Sequence, residues 1–311
     1  MEELNMVLNI RGRISEEIML DENEAFAFIE KKLDVPDPRS KLSASKLDFL
    51  NFLILKMQHA FPFQSVSLIA EDKDTRHRPS LSEIGESMSS GVGGLCYTHN
   101  VFMFCLLRGL GYKAFFNHCT VTSSVTYPNN HVVVIVKDVK QTGDIYLCEA
   151  GMGHPTFQAI CLNFIKESPT YNDSYLEYKY IKHEGKVMRM HGDGDFRSQS
   201  ELPFDFYVGK FRRFYELKLE PSDELSDFDE HFDHVYTNKA ASPFHVSLRA
   251  LIFKNKRATV IVNSRLMLEN DLRQFDVTNL ETDDSLREAY STHFPALPSD
   301  IVAAAVANWR K

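Results

Sequence analysis

Near residue 113 the chain changes its hydrophobic period, and that switch constrains its fold more than any other feature. Before it, apolar residues recur at helical spacing: Leu47, Leu50, Ile54 and Met57 line one face of Lys46–Ala60, and Pro62 stops the run. After it come short stretches rich in aromatic and β-branched residues: AFFNHCTVT, HVVVIVKD, DIYLCEA, YLEYKYIK and FYELKLE. Turn signals such as Tyr127-Pro128-Asn129-Asn130 and Thr142-Gly143-Asp144 separate them. Short strands with no helices between them predict an antiparallel sheet or small barrel rather than parallel βαβ units, so the fold class is α+β.

Three segments follow. Residues 1–112 read as helical: 21–33 begin acidic and end basic, as a helix dipole favours, and 80–88 follow Pro79. In the last of these helices Met103, Leu106, Leu107 and Leu110 share a face, with Gly111 as the C-cap. Residues 113–220 hold the strands of the expected antiparallel sheet or small barrel. Residues 221–311 are mixed: the acidic PSDELSDFDEHFDH reads as a linker entering an amphipathic helix, and strands SLRALIFK and RATVIVNS flank a Lys/Asn turn. Helices near 284–292 and 298–309 close the chain.

A formal net charge of −8 over 311 residues argues against nucleic acid or an anionic membrane held by bulk electrostatics. No apolar run approaches the ~18 residues of a membrane span, and residues 1–33 lack the uninterrupted core of a secretory signal. A cytoplasmic protein is expected. Its five cysteines, at 96, 105, 119, 148 and 161, include no CxxC, so free thiols are expected too. His231 and His234 form an HxxH without a suitably spaced third ligand, which favours a solvated helix face over a metal site. GVGG lacks the GK[ST] of a phosphate-binding loop.

SSGVGGLCYT places Cys96 where a glycine-rich loop meets a helix. A helix N-terminus stabilises a thiolate, and small neighbours admit a substrate. An arbitrary intracellular cysteine is more often a buried structural thiol, and the glycines alone do not decide between the readings. A nucleophile needs a base and a group to orient it. His131 opens the apolar run VVVIV after a polar turn, and Glu149 ends the apolar strand in YLCEAGMG. A carboxylate there calls for a partner unless it faces solvent.

The order Cys, His, acid resembles that of the arylamine N-acetyltransferases. Their R-G-G-x-C motif with a following Asn is similar to Val92-Gly93-Gly94-Leu95-Cys96 with Asn100. Their acid lies in a D-x-G-x-G pattern like Glu149-Ala150-Gly151-Met152-Gly153, and P-F-E-N resembles Pro62-Phe63-Gln64-Ser65. A downstream S-P-F matches Ser242-Pro243-Phe244. The resemblance implies a helical bundle, a β-barrel and an α/β lid around a papain-like triad of Cys96, His131 and Glu149. It implies ping-pong transfer from acetyl-CoA, through a Cys96 thioester, to an aromatic amine or hydrazine, with no metal. It also implies an acceptor pocket of Phe63, Leu95, Met152 and Gly153, and CoA contacts at Ser242 and Phe244. Val92, Gln64 and Glu149 depart from the family's Arg, Glu and Asp, and Glu149 is expected to reach His131 Nδ1–H. These departures keep two other readings open: a thiol hydrolase with the same triad, and an inactive homologue that binds CoA or a partner.

Overall fold

The computed structural model describes residues 20–122, 127–196 and 205–310. Residues 1–19, part of the stretch read above as no secretory signal, lie outside the described residues. Among the described residues no helix is long and apolar enough to cross a membrane.

The helical segment follows its capping residues. Asp21 opens Glu22–Lys31 through a capping box with Glu24, and Ser45 accepts the Asp48 N–H to open Lys46–Ala60. Each cap satisfies amide donors that a helix start leaves free. A second capping box, Ser80 with Glu83, starts Leu81–Ser90, which ends at Gly91 rather than near 88. Pro38–Ala44 and Val66–Ala70 are helices too short to show a period in the sequence. The helix Cys96–Gly109 lies at the centre of the molecule with every residue but Arg108 buried. Leu110 caps it, and Gly111 follows at φ 77°.

The strands between residues 113 and 217 form one antiparallel sheet of nine. Its path runs Ile160–Cys161, Ile145–Cys148, His131–Lys137, Lys113–Val121, Phe211–Leu217, Lys186–His191, Leu176–His183, Tyr171–Asp173, and Tyr207–Val208 pairs beside Phe211–Leu217. No pair among the described residues joins the two ends, so the sheet is a curled half-barrel rather than the closed barrel expected. Edge strands of two and three residues cannot carry a closing ladder. Lys186–His191 is hidden in the sequence because five successive residues of KVMRMH are buried, which leaves no alternation.

A second antiparallel sheet runs Phe63–Gln64, Arg249–Lys254, Arg257–Val262, Arg265–Glu269, Phe275–Asn279. Its first strand comes from the helical segment, with Phe63 opposite Leu251 and Gln64 opposite Ala250. Asn255 and Lys256, both at positive φ, make the tight turn expected between its second and third strands. Helices Asp283–His293 and Ser299–Trp309 supply Leu286, Tyr290, Val302 and Val306 to the apolar cluster on this sheet. The acidic stretch also docks rather than linking freely. Asp229 and Asp233, one turn apart in the helix Asp229–Thr237, hold Arg78 at 2.7 and 2.8 Å, and Arg78 donates to Tyr97 at 2.8 Å.

Candidate active site

Three elements meet at Cys96. It is the first residue of the central helix, His131 opens a strand of the half-barrel, and Glu149 follows the neighbouring strand Ile145–Cys148. Asn100 lies one helical turn below Cys96 and ties all three together. Its Nδ2 donates to the Val132 carbonyl at 2.7 Å and to Glu149 Oε1 at 2.9 Å, while its Oδ1 accepts the Ala150 N–H at 3.2 Å.

Glu149 is wholly buried. A charge there is tolerable only if its lone pairs are used, and they are: Oε1 takes the Asn100 bond and the Gly151 N–H at 3.2 Å, and Oε2 lies 2.8 Å from His131 Nε2. The expectation of contact at Nδ1 is therefore corrected. The carboxylate, its other oxygen held by Asn100 and the Gly151 N–H, meets the ring at Nε2, and Cys96 is the ring's other hydrogen-bond partner. Burial alone would push the imidazole pKa down. The charges of Glu149 and Cys96 and the hydrogen bonds to both outweigh it, and the pKa is raised to about 10. His131 thus holds its proton at neutral pH. Burial pushes the pKa values of Cys105, Cys119 and Cys148 up and keeps them as thiols.

The glycines explain how the loops approach. Gly93 has φ 66°, and a Cβ on it would sit 2.1 Å from the Pro62 carbonyl oxygen. That contact lets residues 92–95 zip onto the chain at Pro62: Gly94 N–H donates to Pro62 O at 3.2 Å and Gln64 N–H to Gly94 O at 2.9 Å. At Gly151 a Cβ would fall 2.5 Å from His99 Cβ and 3.3 Å from Cys96 Cα. Without a side chain there, the loop after Glu149 lies directly against the helix that Cys96 opens.

Two further residues hold this loop, and neither shows in the sequence. Gln58 Nε2 donates to the carbonyls of Glu149 and Thr156 at 3.0 and 2.9 Å. From the opposite side the fully buried Arg189 donates to Thr156 Oγ1 at 2.5 Å and to Pro155 O at 2.8 Å. A glutamine within a helix and an arginine within a strand carry no motif. A polar residue on an otherwise apolar face is the one available signal.

A cleft of about 220 Å³ opens at Cys96 and His131, lined also by Phe63, Met152, Gly153, Ser242 and Phe244. Leu95 is elsewhere. It lines a separate cavity of about 510 Å³ together with Gln64 and Val92, because the chain is extended at Leu95 before it turns into the helix. Val92 packs on the apolar cluster of the second sheet, and the Gln64 amide makes two bonds with Ser67, both of 2.9 Å. His99 and His118, without evident partners in the sequence, have them here. His99 Nε2 lies 3.1 Å from Pro62 O, and burial pushes its pKa down to about 4. His118 stacks on Phe228 with ring centres 4.0 Å apart. His231, for which a solvated face was expected, lies 3.2 Å from the amide of Asn129 and edge-on to His118. Among the described residues no group of three or more His, Cys, Asp or Glu is arranged to hold a metal ion.

A sequence model of the N-acetyltransferase family matches residues 46–297, which include all three triad positions. The chain belongs to the arylamine N-acetyltransferase family. Members from bacteria share the fold. The arylamine N-acetyltransferase of Mycobacterium abscessus superposes with a TM-score of 0.71 at 17% identity, over 94% of this chain and 95% of its own. The Salmonella typhimurium enzyme gives 0.71 at 15%, over 93% and 99%. That of Mycobacterium marinum, determined in complex with CoA, gives 0.70 at 15%, over 90% and 97%. No curated protein sequence matches the chain. Val92 and Glu149 stand at the two positions where the motif resemblance implied Arg and Asp.

Proposed function

We propose that this protein moves an acetyl group from acetyl-CoA to the amine of an arylamine or arylhydrazine through a thioester on Cys96. The observation that carries this reading is the buried chain Cys96–His131–Glu149, in which Glu149 holds His131 at Nε2 and Cys96 is the ring's other hydrogen-bond partner. The Cys96 sulfur attacks the thioester carbonyl of acetyl-CoA. The C–S bond to CoA breaks, and CoA leaves as a thiol with the proton held by His131. The first-turn N–H groups of the central helix, which no side chain caps, face the charge that develops on the carbonyl oxygen. An amine then attacks the Cys96 thioester, its proton passes to the neutral imidazole, and the thiolate–imidazolium pair is restored. Glu149 fixes the ring and balances its charge throughout.

In this account Phe63, Met152 and Gly153 receive the acceptor, and Ser242 and Phe244 lie along the CoA approach, all five on the cleft wall with Cys96. Leu95 shapes the loop from behind. Residues 1–112, 113–220 and 221–311 then serve as helical, β and lid segments of one catalytic unit. Initial rates with both substrates varied test the proposal: parallel double-reciprocal lines are expected, and intersecting lines would exclude the thioester route. Release of acetate without amine would instead favour a thiol hydrolase.

A further inference from the structure

Arg249 opens a strand of the second sheet, and its largely buried side chain lines the catalytic cleft beside Phe244 and Leu251. Among the described residues its charge has no counter-charge. Nε and Nη2 both donate to the neutral Ser247 Oγ, at 3.1 and 2.6 Å, and the guanidinium centre lies 5.1 Å over the Phe244 ring. Nη1 has no acceptor, and no carboxylate pairs with the group, among the described residues. Arg78 and Arg212, by contrast, each meet an aspartate at 2.7 Å. Burial pushes the Arg249 pKa down to about 10, against a weaker opposing effect of Tyr290. Withdrawing a cation from water without a partner is costly, and a ligand that supplies the anion recovers that cost.

The guanidinium fork matches a planar carboxylate, and the surrounding Val260, Val262 and Leu251 exclude water that would screen the contact. A cleft of about 220 Å³ suits a small aromatic or acyl group better than a nucleotide. We infer that Arg249 is a carboxylate-recognition residue and that the preferred substrate carries a carboxylate, on the acyl group transferred or on the aromatic acceptor. The substrate assignment rests on the acyl-transfer reading above, whereas the binding site does not.

Calorimetric titration with benzoate and its neutral analogue benzamide tests the site directly. Wild type is expected to bind benzoate roughly 10-fold or more tighter than benzamide. Arg249→Gln should abolish the preference and Arg249→Lys should keep part of it. Equal affinities in wild type, which need no variant, would overturn the inference, as would a preference that survives in folded Arg249→Gln. Rates with malonyl-CoA against a neutral acyl-CoA, and with 4-aminobenzoate against 4-aminobenzamide, then identify the source. The pair whose ratio collapses in Arg249→Gln carries the carboxylate. If no acyl transfer occurs while the benzoate preference depends on Arg249, the transfer reading fails and the carboxylate site stands.

Discussion

Glu149 Oε2 lies 2.8 Å from His131 Nε2, and the carboxylate has no exposure to solvent. Its other oxygen is held by Asn100 and the Gly151 amide. Shortening the residue withdraws it from at least one of these partners. Glu149→Asp, although it restores the residue usual in the family, should lower the second-order rate of Cys96 alkylation by iodoacetamide about 10-fold, and Glu149→Gln by about 100-fold or more. A Glu149→Asp enzyme as reactive as wild type would show that the loop after the strand adapts freely.

His131 supplies a pH signature. Its folded pKa, raised to about 10, exceeds the ordinary histidine value near 6.5. Its contribution to stability is therefore complete below about pH 6.5 and is lost as pH rises toward 10. The difference in unfolding free energy between wild type and His131→Asn should fall with pH across that window, with a slope of up to about 1.4 kcal/mol per pH unit. Urea denaturation of both proteins at several pH values measures it. A difference that stays flat across that window would mean a neutral imidazole.

Gln58 bonds the carbonyls of Glu149 and Thr156 from within a buried helix face. Gln58→Leu keeps the volume and strands both acceptors, so a loss of about 2–4 kcal/mol in chemical denaturation is expected. Acyl-enzyme formation should slow as well, because the loop that carries Glu149 is released. Unchanged stability would mean that water replaces the amide.

Much of this architecture is legible from residue order, because each reactive group sits at an element boundary. Cys96 follows glycines, His131 follows a turn and Glu149 precedes Gly151, and such boundaries leave marks that periodicity can find. Gln58 and Arg189 are interior to their elements, and their partners are distant in sequence, so nothing local distinguishes them. Leu95 shows the opposite limit. Adjacency to Cys96 implies a shared cleft, yet the extended backbone at Leu95 turns its side chain into the neighbouring cavity. Sheet closure also depends on edge strands of two or three residues, below the length at which a pattern exists.

Val92 and Gln64 line that same cavity, so the two departures from the family motifs are spatially coupled. Val92→Arg alone places a cation against the apolar cluster of the second sheet and should destabilise by about 1–3 kcal/mol. Adding Gln64→Glu should recover part of that loss, with a coupling energy of about 1 kcal/mol in a double-mutant cycle. Strict additivity would show that the two sites do not communicate.

The central claim is that Cys96 carries the acyl group. Intact-mass analysis with peptide mapping, after brief mixing with acetyl-CoA, addresses it most directly. A single acetyl adduct is expected on the peptide containing Cys96, absent from Cys96→Ala and discharged when an arylamine is added. Acetylation at another residue, or no adduct in folded wild-type protein, would contradict it.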